Sequence, residues 1–150
     1  MTTVFDFGNG MVPAHQHMNP CGRLGGWVAE TAFVESTVYV ANTAQVFEYA
    51  RVRGNAKVFD FARVFEAASV YDEATVSGNT KIFGNAEIYG SAYVCNSTQV
   101  HGYAQVYEDA FVCGTSQVHG HAKVHGHAWI EGNSLILGEE EFLGDNRVSG

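Results

Sequence analysis

The chain has 150 residues, a formal net charge of −8 and no apolar stretch long enough to span a bilayer. Because an excess of carboxylates repels a phosphate backbone, we expect neither polymeric nucleic acid nor a membrane as a partner. The sequence opens with polar and acidic residues rather than a basic and then an apolar segment, so we expect no secretory signal and a cytoplasmic location.

The first 26 residues lie outside any repeat and contain both prolines, Pro13 and Pro20. An apolar run over residues 4–7 precedes Gly8-Asn9-Gly10, a combination that is typical of a short strand followed by a turn. We therefore expect residues 1–26 to form an N-terminal cap segment that covers the first coil of the structure behind it.

From Val28 to Val148 every sixth residue is Val or Ile, with Phe142 the one exception, and a small residue usually stands two places earlier. In units such as Ala86-Glu87-Ile88-Tyr89, alternate residues point in opposite directions, as in a strand of about four residues. Gly-Asn pairs or acidic residues follow and permit a corner, since Gly tolerates positive φ. Strands and corners repeated without insertion predict an all-β solenoid.

The pattern weakens at residues 139–141, where Glu140 occupies a position that is small in earlier units. An unpaired charge is costly to bury, so we expect the solenoid over residues 27–138 and a C-terminal cap or tail over residues 139–150. The inward side chains are Ala-like and Val-like and pack at ordinary core density, which leaves no room for a ligand inside.

The pattern Val-x-Gly-x-Ala-x over residues 26–138 resembles the hexapeptide repeat of the left-handed β-helix proteins, the bacterial hexapeptide transferase-like superfamily. The resemblance implies a single-stranded left-handed parallel β-helix with triangular coils of about 18 residues. Gly favours the third place here, whereas that superfamily's enzymes often carry it at the second. The opening, Asp6-Phe7-Gly8-Asn9-Gly10 and then Val12-Pro13-Ala14-His15, looks like that of small hexapeptide-repeat proteins of phages and prophages.

Coils of this length stack outward residues into columns. The columns are Phe47, Phe65, Phe83, His101 and His119 on one side, Arg53, Tyr71, Tyr89, Tyr107 and His125 on the next, and Tyr93, Phe111 and Trp129 on the third. Stacked rings stabilise a ladder by about 0.5 kcal/mol or more per pair, but their outer edges still meet water. Soluble monomers rarely expose so much apolar surface, and left-handed hexapeptide proteins are commonly trimers, so we expect a homotrimer.

The three cysteines, an odd number, give no disulfide framework and fit a reducing compartment. In coils of about 18 residues, Cys95 and Cys113 are stacked neighbours about 4.8 Å apart along the axis. We expect two reduced thiols in one ladder, and a cross-link or a metal site is the alternative.

Basic residues concentrate in the early coils, where Arg63 and Lys81 share a column beside Phe65 and Phe83. Rings next to cationic groups suit a planar anionic ligand such as a nucleotide, although the cations could also merely offset nearby carboxylates. We predict a non-catalytic, phage-like homotrimer that needs no cofactor and sequesters a host nucleotide signal in clefts between subunits. The predicted ligand-binding residues are Arg51, Arg53, Lys57, Arg63, Phe65, Tyr71, Lys81, Phe83 and Tyr89.

Three alternatives stay open. The resemblance implies that a CoA-dependent acyltransferase would use an inter-subunit histidine as general base, and His101, His119 and His125 are the candidates. Against catalysis, the repeat contains no insertion that could wall a deep pocket. A metal ion bound by His101, His119 and His121 is a weaker possibility. A structural virion spike or adaptor would bind a protein instead of a small ligand.

Overall fold

The computed structural model describes residues 3–144 and 147–149. Within these residues every regular element is a β-strand, and the strands form three sheets along three sides of a solenoid. Parallel partners are 18 residues apart, as in Val64 beside Ile82 and Ile82 beside Val100. The structure thus confirms an all-β, single-stranded parallel β-helix with coils of 18 residues, and its seven-stranded sheets correspond to about seven turns.

Most strands contain only two residues, shorter than the sequence predicts, because the corners occupy the rest of each six-residue unit. In chain order they are β1 (Val4–Asp6), β2 (Met11–Met18), β3 (Leu24–Ala29), β4 (Phe33–Val34), β5 (Tyr39–Val40), β6 (Gln45–Val46), β7 (Arg51–Val52), β8 (Lys57–Val58), β9 (Arg63–Val64), β10 (Ser69–Val70), β11 (Thr75–Val76), β12 (Lys81–Ile82), β13 (Glu87–Ile88), β14 (Tyr93–Val94), β15 (Gln99–Val100), β16 (Gln105–Val106), β17 (Phe111–Val112), β18 (Gln117–Val118), β19 (Lys123–Val124), β20 (Trp129–Glu131), β21 (Leu135–Ile136), β22 (Glu141–Phe142) and β23 (Arg147–Ser149).

The first sheet has the order β1-β2-β3-β6-β9-β12-β15-β18-β21, the second runs from β4 to β22 and the third from β5 to β23. Strands β1, β2 and β3 pair antiparallel, so an N-terminal hairpin lies on the open edge of β3 before the parallel ladder begins. At the other end β22 and β23 continue the ladders of the second and third sheets beyond Gly138.

Polar side chains fasten the hairpin segment to the first coil. The Asn19 amide donates to the Val40 carbonyl at 3.0 Å and accepts the Val40 N–H at 2.8 Å, and a His17 ring nitrogen lies 2.7 Å from the Val38 carbonyl oxygen. Gly25 permits this approach, since a Cβ there would stand 1.9 Å from the Val40 carbonyl oxygen. Burial lowers the pKa of His17, with the Val38 carbonyl acting in the opposite direction.

The interior is filled by the Val or Ile of each strand and by the small residue two places before it. From Val38 to Ile130 these inward side chains are almost all completely buried. Each buried Val contributes about 1.5–3 kcal/mol relative to an exposed one, and the column repeats that contribution in every strand.

Acidic side chains hold the corners together. At several corners an Asp or Glu adopts positive φ, and its carboxylate accepts the backbone N–H of the residue 18 positions later, as Asp60 does from Gly78 at 3.0 Å and Glu66 does from Gly84 at 2.8 Å. Glu48, Asp72 and Glu108 have the same role, and Glu35 accepts the Gly54 N–H at 2.7 Å across a separation of 19 residues. Much of the negative charge of the chain therefore serves the solenoid, because these N–H groups have no ladder partner.

Candidate functional site

One continuous ring column runs along the edge of the first sheet. Successive centroids are 4.8 Å apart from Phe7 to Phe47, 4.9 Å from Phe47 to Phe65 and 5.0 Å from Phe65 to Phe83. His101 and His119 continue the same column. Each ring is nearly parallel to its neighbours and stacked on them, so the faces inside the column are covered and the ring edges point outward.

The hairpin changes this column in a way that the repeat did not predict. Phe7 stacks on Phe47 and leaves it 4% exposed, although the sequence pattern places Phe47 on an outer surface. The Arg63 guanidinium lies over the Phe47 ring at 4.8 Å and donates to the Phe7 carbonyl. Arg63 therefore holds the cap segment, in addition to any role with a ligand.

A second column begins with the Arg53 guanidinium, 5.1 Å from the centroid of the Tyr71 ring. Tyr71 and Tyr89 stack at 4.9 Å, and the column ends with Tyr107 and His125. Burial, followed by the charge of Glu87, raises the pKa of Tyr71 to about 12. Here too both faces of each internal ring are occupied.

The nine predicted ligand-binding residues are distributed over three sides of the solenoid. Arg63, Phe65, Lys81 and Phe83 belong to the first sheet and the corner after it, Arg51, Arg53, Tyr71 and Tyr89 to the second, and Lys57 to the third. A single chain therefore does not assemble all nine around one small molecule. A planar ligand would also meet ring edges at Phe65 and Phe83 rather than open faces.

Two of the predicted cations share a depression of about 460 Å³ that we call the first-sheet groove. It is lined by Asp6, Phe7, Gly8, Thr43, Gln45, Phe61, Arg63, Asn79 and Lys81. Arg63 Nε donates to the Gln45 side-chain oxygen at 3.2 Å, whereas Lys81 is exposed. The repeat predicted the two cations, and the Gly8-Asn9-Gly10 signal predicted the turn, but neither pattern predicted that Gly8 forms one wall of this groove.

The histidine candidates for catalysis or metal binding do not converge. His101 and His119 stack on each other with centroids 4.8 Å apart, and burial, then the neighbouring His119, lowers the pKa of His101. His121 stacks on Tyr103 instead. His125 lies between two carboxylates, with Nε2 2.7 Å from Glu141. Within the described residues no three His, Cys, Asp or Glu side chains are grouped closely enough to bind a metal ion.

The third side carries an exposed aromatic strip, which we define as Tyr93, Phe111 and Trp129. Their centroids are 5.6 and 4.2 Å apart, and both Tyr93 and Trp129 are 39% exposed. Beside the strip, Cys95 and Cys113 are joined as a disulfide, so the expectation of two reduced thiols is wrong. Cys95 and Cys113 directly follow the paired strands β14 and β17, and with their Cα atoms 4.7 Å apart the two sulfur atoms meet.

Protein-family profiles, curated proteins and solved structures were each compared with the chain, and none shows a significant match. Within the described residues, no helical segment has the length and apolar character needed to traverse a lipid bilayer. The features of this chain that could bind another molecule are its grooves, its ring columns and the aromatic strip.

Proposed function

We propose that this chain is a non-catalytic binding protein that captures a small anionic ligand at the first-sheet groove. The observation that carries the proposal is the pairing of Arg63 and Lys81 in one groove on a chain whose net charge is −8. Cations placed side by side in an acidic protein favour a phosphate-bearing ligand, to which they donate charge-assisted hydrogen bonds.

The covered ring faces define how such a ligand is recognised. Because Phe65 and Phe83 present edges, the affinity comes from the phosphate groups, with the Lys81 ammonium as the exposed donor and the Arg63 charge behind it. The Asn79 amide, at the wall of the groove, supplies a neutral hydrogen-bonding group. This arrangement suits a nucleotide bound through its phosphates and released without chemical change.

We further propose a homotrimer assembled through the aromatic strip. Tyr93 and Trp129 keep more than a third of their surface in water, and the outward residues from Thr75 to Trp129 in that column carry no charge. Aromatic residues are enriched at the centre of protein interfaces, and the charged neighbours of the strip, Arg147 over the Trp129 ring and Glu131 beside its Nε1–H, lie at one end of it. The resemblance to left-handed hexapeptide-repeat proteins supports the trimer. The resemblance of the opening residues to phage and prophage proteins suggests an origin, and we propose that a protein of that origin sequesters a nucleotide signal of its host.

Calorimetry with a panel of nucleotides and cyclic dinucleotides tests the ligand. We expect Lys81→Gln to weaken binding about tenfold, the effect of one charge-assisted hydrogen bond, and the matched Lys123→Gln variant on the second sheet to bind like the parent. The absence of heat with the whole panel, or an equal loss in both variants, would contradict the proposal.

Light scattering tests the assembly separately. The parent chain should have three times the mass of one subunit, and Trp129→Glu should shift it toward single subunits because a charge is costly to bury in an interface. A parent chain that is monomeric at working concentration is the contrary result.

A further inference from the structure

A second depression lies on the other side of the hairpin turn from the first-sheet groove. This hairpin cleft has a volume of about 320 Å³, and its floor is apolar, formed by Phe7, Val12, Pro13, Ala29 and Phe47. Phe7 and Ala29 are packed into a small cluster with Phe47, so the floor is fixed by the same contacts that hold the hairpin on the solenoid. Neither the hexapeptide pattern nor the proposed anion site uses this cleft.

Carboxylates stand at the rim of the hairpin cleft. Glu30 and Glu48 occupy the same corner position in consecutive coils, and both line the cleft. Glu48 accepts the Glu66 N–H at 2.9 Å, and one Glu30 oxygen lies 2.6 Å from the His15 ring. Like charges at the same corner of adjacent coils repel each other, and the lining residues include no Lys or Arg to offset them.

An exposed ring completes the rim. Tyr49 is 70% exposed and also lines the hairpin cleft, next in sequence to Glu48. A tyrosine beside two carboxylates provides a surface that attracts a cation both through its ring and through the neighbouring negative charges. An apolar floor below such a rim selects a ligand with an apolar body and one positive end.

We propose that the hairpin cleft binds a small primary amine with an aromatic or branched apolar body. Its ammonium group hydrogen-bonds to Glu48 and neutralises the repulsion between Glu48 and Glu30, while the body covers the floor formed by Val12 and Pro13. The cleft volume accommodates a single-ring amine. This site takes a ligand of opposite charge to that of the first-sheet groove and does not depend on it.

Phenethylamine is the probe, and its binding to the full chain is measured by calorimetry and by chemical-shift titration. We expect saturable binding of one amine per chain at the hairpin cleft. Phenethyl alcohol should bind about tenfold more weakly because it lacks the charge, and 3-phenylpropionate should not bind because of its carboxylate. No saturable amine binding, or equal affinities for the amine and the alcohol, would overturn the proposal.

Two variants test whether the amine binds in the hairpin cleft. Glu48→Gln removes the charge but retains an oxygen for the Glu66 N–H, so the fold should persist while amine affinity falls about tenfold. Glu73→Gln, at an exposed corner away from the cleft, is the control and should bind normally. Val12→Trp should abolish binding by filling the cleft, with an unchanged circular dichroism spectrum. Undiminished affinity in Glu48→Gln refutes the assignment.

Discussion

Two threonines in the same inward column allow a prediction of opposite sign from the same substitution. Thr80 and Thr98 occupy consecutive coils and are both fully buried. The Thr80 hydroxyl donates to the Ser77 carbonyl at 2.7 Å, whereas the Thr98 hydroxyl has no hydrogen-bond partner among the described residues. Valine has nearly the shape of threonine but no hydroxyl, so Thr→Val tests the hydrogen bond alone.

We expect Thr80→Val to lower the free energy of unfolding by about 1 kcal/mol, because a made hydrogen bond is lost. Thr98→Val should raise the free energy of unfolding by about 1 kcal/mol, because it removes a hydroxyl that is buried without a hydrogen-bond partner and therefore destabilises the folded state. With a urea dependence of about 2 kcal/mol/M, the two midpoints should differ by about 1 M. Equal destabilisation in both variants would refute the reasoning, since it would mean that both hydroxyls are satisfied.

Thermal unfolding should show Gly120→Ala to be less stable than Gly138→Ala by about 1 kcal/mol or more. Both glycines have φ near +70°, so the backbone strain is the same, but a Cβ at Gly120 would stand 2.7 Å from the Gly138 nitrogen, whereas a Cβ at Gly138 would contact no atom. Equal losses would contradict the steric argument. Tyr71, whose folded pKa is raised to about 12, favours the folded state below pH 10, and that contribution should disappear between about pH 10 and 12. Burial also raises the pKa of Tyr89 and of Tyr107, so absorbance at 295 nm should show several late-ionising tyrosines, and Tyr71→Phe should remove the one that titrates near pH 12. Reduction of the bond between Cys95 and Cys113, which closes a loop of 18 residues, should lower the free energy of unfolding by about 3 kcal/mol, with no effect of reductant on Cys95→Ala.

The six-residue period predicted the solenoid because one inward aliphatic residue per unit fixes both the strand and its direction. Once coils of 18 residues are assumed, the columns follow, and Phe47, Phe65 and Phe83 do stack in the predicted order. The columns can be predicted from the sequence because each residue contacts the residue 18 positions away, and the same spacing holds in every coil.

The cap segment could not be read in the same way. Phe7 meets Phe47 and Arg63 through antiparallel pairing, and no periodic relation connects those positions. The corner carboxylates were equally hidden, because an acidic residue such as Asp60 looks like ordinary turn chemistry until its hydrogen bond to Gly78 is seen. The first-sheet groove and the hairpin cleft lie on either side of the hairpin turn. Their charged residues could be identified from the sequence, but the residues of the turn that form their walls could not.

The antiparallel hairpin also limits how molecules can join end to end. At this end of the solenoid the outermost strand of the first sheet is β1. At the edge of the third sheet, Asn19 occupies the backbone N–H and carbonyl of Val40 in β5, and His17 contacts the carbonyl of Val38 just before that strand. A second molecule that continued the solenoid along its axis would have to pair with the edge strands of all three sheets at the same height. It would find the edge of the first sheet displaced by the hairpin and the backbone groups at the edge of the third sheet already hydrogen-bonded. The hairpin thus protects the protein from fibre growth at this end, because axial polymerisation needs matching open edges.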